Sequence, residues 1–186
     1  PSARMLMIPG NHEQRLQNKL LRTLPELYRL RRGGEGLRAD PVLSVPHLLR
    51  LDELGIEWVT GDVGEWPFAE ARFWNLIISH GSVARAGSGA SARKTLERLM
   101  ANTVIGHTHR QAIVWYTVYN DRGEAKRFWA AEGGTMCNIR GGMGYASRVD
   151  WQQGFVDVEV GAVGEPAGEG LWPKATLVSY VNGRLR

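Results

Sequence analysis

Five histidines occur in the chain, and four of them stand at three places that share one local design. "IPGNHE" sets Asn11 and His12 just after a short apolar run. "IISHGS" sets His80 directly after another, and "VIGHTHR" sets His107 and His109 after a third, with Thr108 between them. A glycine precedes the polar pair in two cases and follows the histidine in the other. Glycine lets the backbone turn sharply and approach a ligand closely. Imidazole nitrogens and an amide oxygen suit borderline divalent ions such as Mn, Fe, Co, Ni or Zn. Taken singly, "GNH" reads as a turn, "SHG" as a strand end with a hydrogen-bonded histidine, and "HTH" as an exposed strand edge. Taken together, all at strand ends where distant segments converge on one edge of a sheet, they point to a metal site. His47, in "VPHLL", shares none of this context and reads as a packing or capping residue.

The elements that must position these residues follow from periodicity. "RMLMI" (4–8) reads as a buried strand ended by Pro9 and Gly10. Leucines at 16, 20, 24, 27 and 30 predict a helix over 13–31, kinked or split at Pro25. A basic loop (31–41) leads to one or two helical turns in 42–55, closed by Gly55. "IEWV" (56–59) and "RFWNLIIS" (72–79) read as strands, with turn material between them. The small-residue loop 81–90 leads to a helix in "SARKTLERLMAN", with Ser91 as its N-cap. "TVIG" is the next strand. "NDRG" between "AIVWYTVY" and "EAKRFWAA" predicts a hairpin. "WQQGFVDVEV" and "ATLVSYVNGRL" read as two late strands. No internal repeat is visible. Over residues 1–186 this order predicts one α/β (α+β) domain with a layered sheet.

Composition sets the class. The 186 residues are 43% hydrophobic and 23% charged, which is globular material. No apolar run approaches the roughly 18 residues that would span a bilayer, and no signal peptide is visible. Cys137 is the one cysteine, so no internal disulfide can form, and a reducing, cytoplasmic setting is expected. The net charge of +4 fits anionic substrates such as nucleic acid without requiring them. A strand pattern almost immediately after Pro1 reads as a fragment, a processed product or a trimmed Met-Pro start.

In that order "GNHE", "HG" and "GHTH" resemble the C-terminal motifs of the calcineurin-like metallophosphoesterases. "DELGIEW", "GHTHR" and "DWQQGF" resemble the branch common in bacteriophages and prophages. The resemblance runs from Met7 to Val160. It implies a four-layer αββα sandwich with two metals, Mn, Fe, Zn or Ni, at the strand ends. Carried over residue by residue, it implies that Asn11, His80 and His107 bind one metal and His109 the other. His12 would protonate the leaving oxygen or steady the phosphoryl group. Two ions roughly 4 Å apart would hold phosphate oxygens and acidify a bridging water for in-line attack. Arg15 and Arg110 would be phosphate contacts, by proximity in sequence.

The family pattern has an Asp-x-His and a Gly-Asp-x-x-Asp before "GNHE". Here only six residues, Arg4 to Pro9, separate the N-terminal tripeptide from it, and no Asp-x-His occurs anywhere. "TGDVGE" (60–65) has the spacing of the second motif in Asp62 and Glu65, but its position after "GNHE" argues against it. The expectation is therefore an N-terminally truncated family fold holding one metal where the family holds two, in which the missing carboxylates belong to a companion chain, a lost segment or neighbouring copies. Unpaired sheet edges then favour a homo-oligomer or a partner polypeptide. The leading expectation is a phosphoesterase acting on phosphomonoesters or phosphodiesters, with cyclic nucleotides, nucleic-acid ends and phosphoproteins as candidate substrates. The alternative is a catalytically degenerate binding or assembly module on the same fold. A third reading is a DNA-associated nuclease subunit.

The remaining features have plainer readings. Arg85, Arg93 and Lys94 belong either to a substrate loop or to a solvated linker and helix start. The tryptophans in strand patterns (Trp58, Trp74, Trp115, Trp129) are expected in the core rather than stacking on bases. Cys137 is expected as a buried small hydrophobe. "DWQQGF" is expected to fix a strand through side-chain hydrogen bonds.

Overall fold

A computed structural model describes residues 3–34, 36, 39–60, 66–139, 149–161, 172–181 and 184–185. Asp62 and Glu65 lie outside these residues, as do parts of the 31–41 loop and of the glycine-rich stretch after Gly133. The architecture is mixed α/β, with several sheets and few helices. The chain forms two compact units, Pro1–Glu70 and Ala71–Arg186.

In the first unit, β1 (Met5–Met7) pairs in parallel with β2 (Ile56–Trp58), Met5 opposite Ile56 and Met7 opposite Trp58. Parallel neighbours need a crossover, and here it carries α1 (Glu13–Thr23) and the short α2 (Val45–Leu48). α1 starts where the Glu13 carboxylate accepts from the Gly10 N–H at 2.7 Å, satisfying a donor ahead of the first turn. It ends earlier than the leucine spacing predicts. The backbone closes at Leu24, and Pro25 opens a separate 3-10 turn, Pro25–Leu27. Proline lacks the N–H an interior helical position needs, but it tolerates a first turn. His47 sits in α2, where its N–H points to the Ser44 Oγ at 3.4 Å, in keeping with a capping context.

The second unit is built on a five-stranded sheet in the order β3 (Glu70–Phe73), β4 (Leu76–Ser79), β5 (Asn102–Ile105), β7 (Ala125–Gly133), β6 (Gln111–Tyr119). β4, β5 and β7 run parallel, and β6 runs antiparallel to β7. The single strand expected over 72–79 is two strands. The chain turns at Trp74, which is 72% exposed with φ +53°. The predicted hairpin forms as expected. The Asn120 side-chain oxygen accepts from the N–H groups of Arg122 and Glu124, holding the turn.

Period-two alternation gives the sheet two apolar faces. Ile105, Phe128 and Ala130 pack against Ala92 and Leu96 of α3 (Ala90–Leu99). Leu76, Trp129 and Ala131 face the opposite way, onto Val156, Val158 and Ala175. These last residues come from a second sheet, ordered β10 (Arg184–Leu185), β9 (Trp172–Val181), β8 (Gly154–Gly161). Residues 71–186 thus form a helix layer, a sheet and a second sheet. Trp129 is fully buried, and its Nε1–H donates to the Pro173 carbonyl at 2.8 Å, tying the sheets together. Trp115 departs from the core expectation at 60% exposure, because the second sheet does not cover that end of the hairpin. Trp58 and Cys137 are half-buried.

Ser91 is not the N-cap of α3. That position is Gly89, at φ +82°, where a Cβ would lie 2.9 Å from Val114 Cγ1. The close approach to β6 excludes any side chain from the cap, so capping passes to a residue from elsewhere. Among the described residues, no helix is long and apolar enough to cross a membrane.

Candidate metal centre

Parallel pairing of β4 and β5 determines what meets at their C-terminal ends. Ser79 lies opposite Ile105, so His80 and the "GHTHR" segment leave the sheet at the same edge. The His80 carbonyl accepts from the N–H of Gly106 at 3.1 Å and of His107 at 2.9 Å, continuing the ladder past the strands. Gly81, at φ +89°, turns the chain away beside β5, where a Cβ would lie 3.2 Å from Ile105 Cβ. The result is a pair of half-buried rings with His80 Nε2 and His107 Nδ1 3.1 Å apart. Two imidazole nitrogens at this separation match neighbouring ligands on one ion, each about 2.1 Å from it. The same contact also serves as a hydrogen bond between neutral rings, one donating to the other.

His109 follows in a tight turn, its N–H donating to the Gly106 carbonyl at 3.2 Å. Its φ is +60°, a left-handed conformation that a non-glycine residue adopts only where its surroundings enforce it. Those surroundings come from the "DWQQ" segment, which behaves as its sequence predicts. The Gln152 N–H donates to the His109 carbonyl at 3.1 Å, and the Gln152 side-chain oxygen accepts from the Gln111 N–H at 2.9 Å. The Trp151 ring stands edge-on to His109, centroids 4.4 Å apart.

Arg110 was expected at a phosphate. In the structure it gives Nε to Asp150 at 2.9 Å and Nη1 to the Arg85 carbonyl at 3.0 Å, with 18% of its side chain exposed. The guanidinium beside Asp150 holds that carboxyl below the usual carboxylate range, chiefly through the hydrogen bond. Arg110 therefore joins the segments on either side of the histidines. Arg85 is also held through its own N–H, which donates to Ser91 Oγ at 2.8 Å, so the 81–90 loop is tethered at this point.

A residue not singled out by motif reading lies beneath the centre. Glu132 is fully buried at the end of β7. Its Oε1 accepts from the N–H groups of Ser91 (3.1 Å) and Ala92 (3.0 Å), and its Oε2 accepts from the Thr108 hydroxyl at 3.0 Å. It supplies the capping acceptor that Gly89 lacks, at the helix end where a negative group is favoured. The same carboxylate grips the residue between His107 and His109. The sequence holds a signal for it: Glu132 alternates with Phe128 and Ala130, so the one carboxylate of β7 lies on the face that packs on α3.

The structure brings His80 and His107 together and sets His109 two residues further along the same turn. Asn11 and His12 belong to the first unit, between β1 and α1, with His12 exposed at the α1 N-terminus. Arg15 is exposed on α1. Among the described residues, no group of three or more His, Cys, Asp or Glu side chains is arranged to hold a metal ion. Comparison with family models, curated proteins and solved structures gives no match.

Proposed function

We propose that the chain is a metal-dependent phosphoesterase of the calcineurin-like kind, hydrolysing phosphomonoesters or phosphodiesters. The observation that carries this reading is the His80–His107 pair, two ring nitrogens 3.1 Å apart at the ends of adjacent parallel strands. His109, held at φ +60° on the same turn as His107, is the candidate ligand for a second ion. The helix, sheet and sheet layers of residues 71–186 agree with part of an αββα sandwich, the finer fold this reading adopts.

On this reading His80 and His107 hold one divalent ion, with Mn, Fe, Zn or Ni as candidates, and His109 offers a ligand for a second. A bound ion supplies Lewis acidity to a phosphoryl oxygen and acidifies a water molecule. Glu132, through Thr108, fixes the turn that carries His107 and His109, and Trp151 and Gln152 further hold His109. The resemblance assigns Asn11 a ligand's role, His12 a proton donor's and Arg15 a phosphate contact. The carboxylates that complete the family's centre would come from a companion chain or a further segment.

The test is metal stoichiometry and Mn affinity on the purified chain, with hydrolysis of a chromogenic phosphodiester measured alongside. His80→Ala and His107→Ala are each expected to remove tight Mn binding and any hydrolysis. Mn affinity unchanged in both variants would refute the centre. Binding that depends on both histidines, with no hydrolysis in any assembly, would replace the enzyme by a metal-holding assembly module.

A further inference from the structure

The turn end of the β6–β7 hairpin carries a surface unrelated to the histidine centre. In the antiparallel register Trp115 lies opposite Trp129, Thr117 opposite Arg127 and Tyr119 opposite Ala125. These residues share the face that, further along, packs on the second sheet. Cover ends at Trp129. Beyond it Trp115 is 60% and Tyr119 67% exposed, and Thr117, Ala125 and Arg127 are exposed as well. The two aromatic residues are four positions apart, about 14 Å along a strand. A cation stands between them on the neighbouring strand. Arg127 is the one charged residue among the five, and the exposed Asp121 and Glu124 stand beyond it in the turn.

The strand edge beside this face is already occupied. Arg93 of α3 donates from Nη1 to the outward carbonyl of Trp115 at 3.1 Å, and its guanidinium covers the Tyr116 ring at 4.8 Å. An added strand would have to displace that bond, a usual way of blocking edges. Among the described residues, what stays open is the flat face, two aromatic surfaces flanking an arginine. That arrangement suits unpaired bases, which stack on aromatic rings while a cation meets the backbone phosphates. The Arg127 cation between the two rings and the chain's net charge of +4 complement a polyanion.

We propose that this face, centred on Trp115, Tyr119 and Arg127, binds single-stranded nucleic acid without base specificity. The inference needs neither the metal centre nor hydrolysis.

Fluorescence anisotropy of the full chain with a labelled oligothymidylate of about twelve nucleotides tests it, in EDTA and over a salt series. A duplex of equal length is the comparison. Trp115→Ala and Tyr119→Ala are each expected to weaken single-strand binding by about fivefold or more. Arg127→Glu should weaken it further and reduce the salt slope by about one. All three side chains are exposed, and an unchanged melting curve confirms folding. Absence of binding, equal binding by wild type and Trp115→Ala, or preference for the duplex would overturn the proposal. So would sedimentation showing that Trp115→Ala dissociates an oligomer while nucleic-acid binding is unaltered, since the face would then be a contact between copies.

Discussion

Removing the Glu132 side chain should do more damage than any surface substitution in the chain. Glu132→Ala strands three buried donors at once: the N–H groups of Ser91 and Ala92 and the Thr108 hydroxyl. Each buried donor left without an acceptor costs roughly 1–3 kcal/mol. Water entering the space recovers part of this, so a loss of about 3–5 kcal/mol is expected, a large share of the stability of a typical domain. Glu132→Gln separates charge from geometry. Its amide oxygen can still accept from the two helix N–H groups, and its NH2 can donate to Thr108 Oγ1, whose hydroxyl rotates to suit. Losing the charge weakens the hydrogen bonds and the helix-end interaction but relieves desolvation, so the cost should stay below about 2 kcal/mol. Urea denaturation with unchanged slopes gives both numbers, and amide exchange at Ser91 and Ala92 localises the effect. On the proposed metal reading, Glu132→Ala should also lower Mn affinity by about tenfold or more, because Glu132 reaches the histidine turn through Thr108. An alanine variant within about 0.5 kcal/mol of wild type, or a glutamine variant as damaged as the alanine one, would refute the account of Glu132 as shared cap and tether.

Two further outcomes follow from the same region. Gly89→Ala places a Cβ at φ +82° and 2.9 Å from Val114 Cγ1, so it should cost about 2–3 kcal/mol in urea denaturation, whereas a conformationally relaxed glycine would gain from the change. Asp150 has its folded pKa lowered by Arg110, so its stabilising contribution is complete above the ordinary aspartate value of about 3.9 and is lost as pH falls through the lower folded value. The protection factors (intrinsic over observed exchange rate at the same pH) of Gln152 and Gly134, whose N–H groups bond the His109 and Arg110 carbonyls, should fall below about pH 4 in wild type. In Asp150→Asn the protection of these two amides should show no such acid step.

How much of this was legible depends on whether the deciding physics was local. The β6–β7 hairpin was readable because alternation and the Asn120 turn act within a few residues. The strand-end placement of His80, His107 and His109 was readable because apolar runs mark strands and glycines mark their ends. The α3 cap was misread because Ser91 has the right chemistry for a cap, while the contact that demands glycine at position 89 comes from β6, over twenty residues away. The turn at Trp74 was invisible because a tryptophan at positive φ has no local signature, so two strands read as one. The partners of Arg110, Arg85 and Asp150, were not legible because tertiary structure supplies them from 25 and 40 residues away. Glu132 is the most instructive case. "FWAAEGG" reads as a strand running into a turn, and its chemistry emerges only when α3 sets two bare N–H groups over the strand end and the β5 turn sets Thr108 beside them. A motif search weighs residue types by their neighbours in sequence, and Glu132 has none that matter. Its role arises from the alternation that turns it toward α3 and from the glycine cap that leaves the helix without an acceptor of its own. The same logic ties the cap to the candidate centre: one carboxylate satisfies the helix and the histidine turn together, so neither can shift without the other.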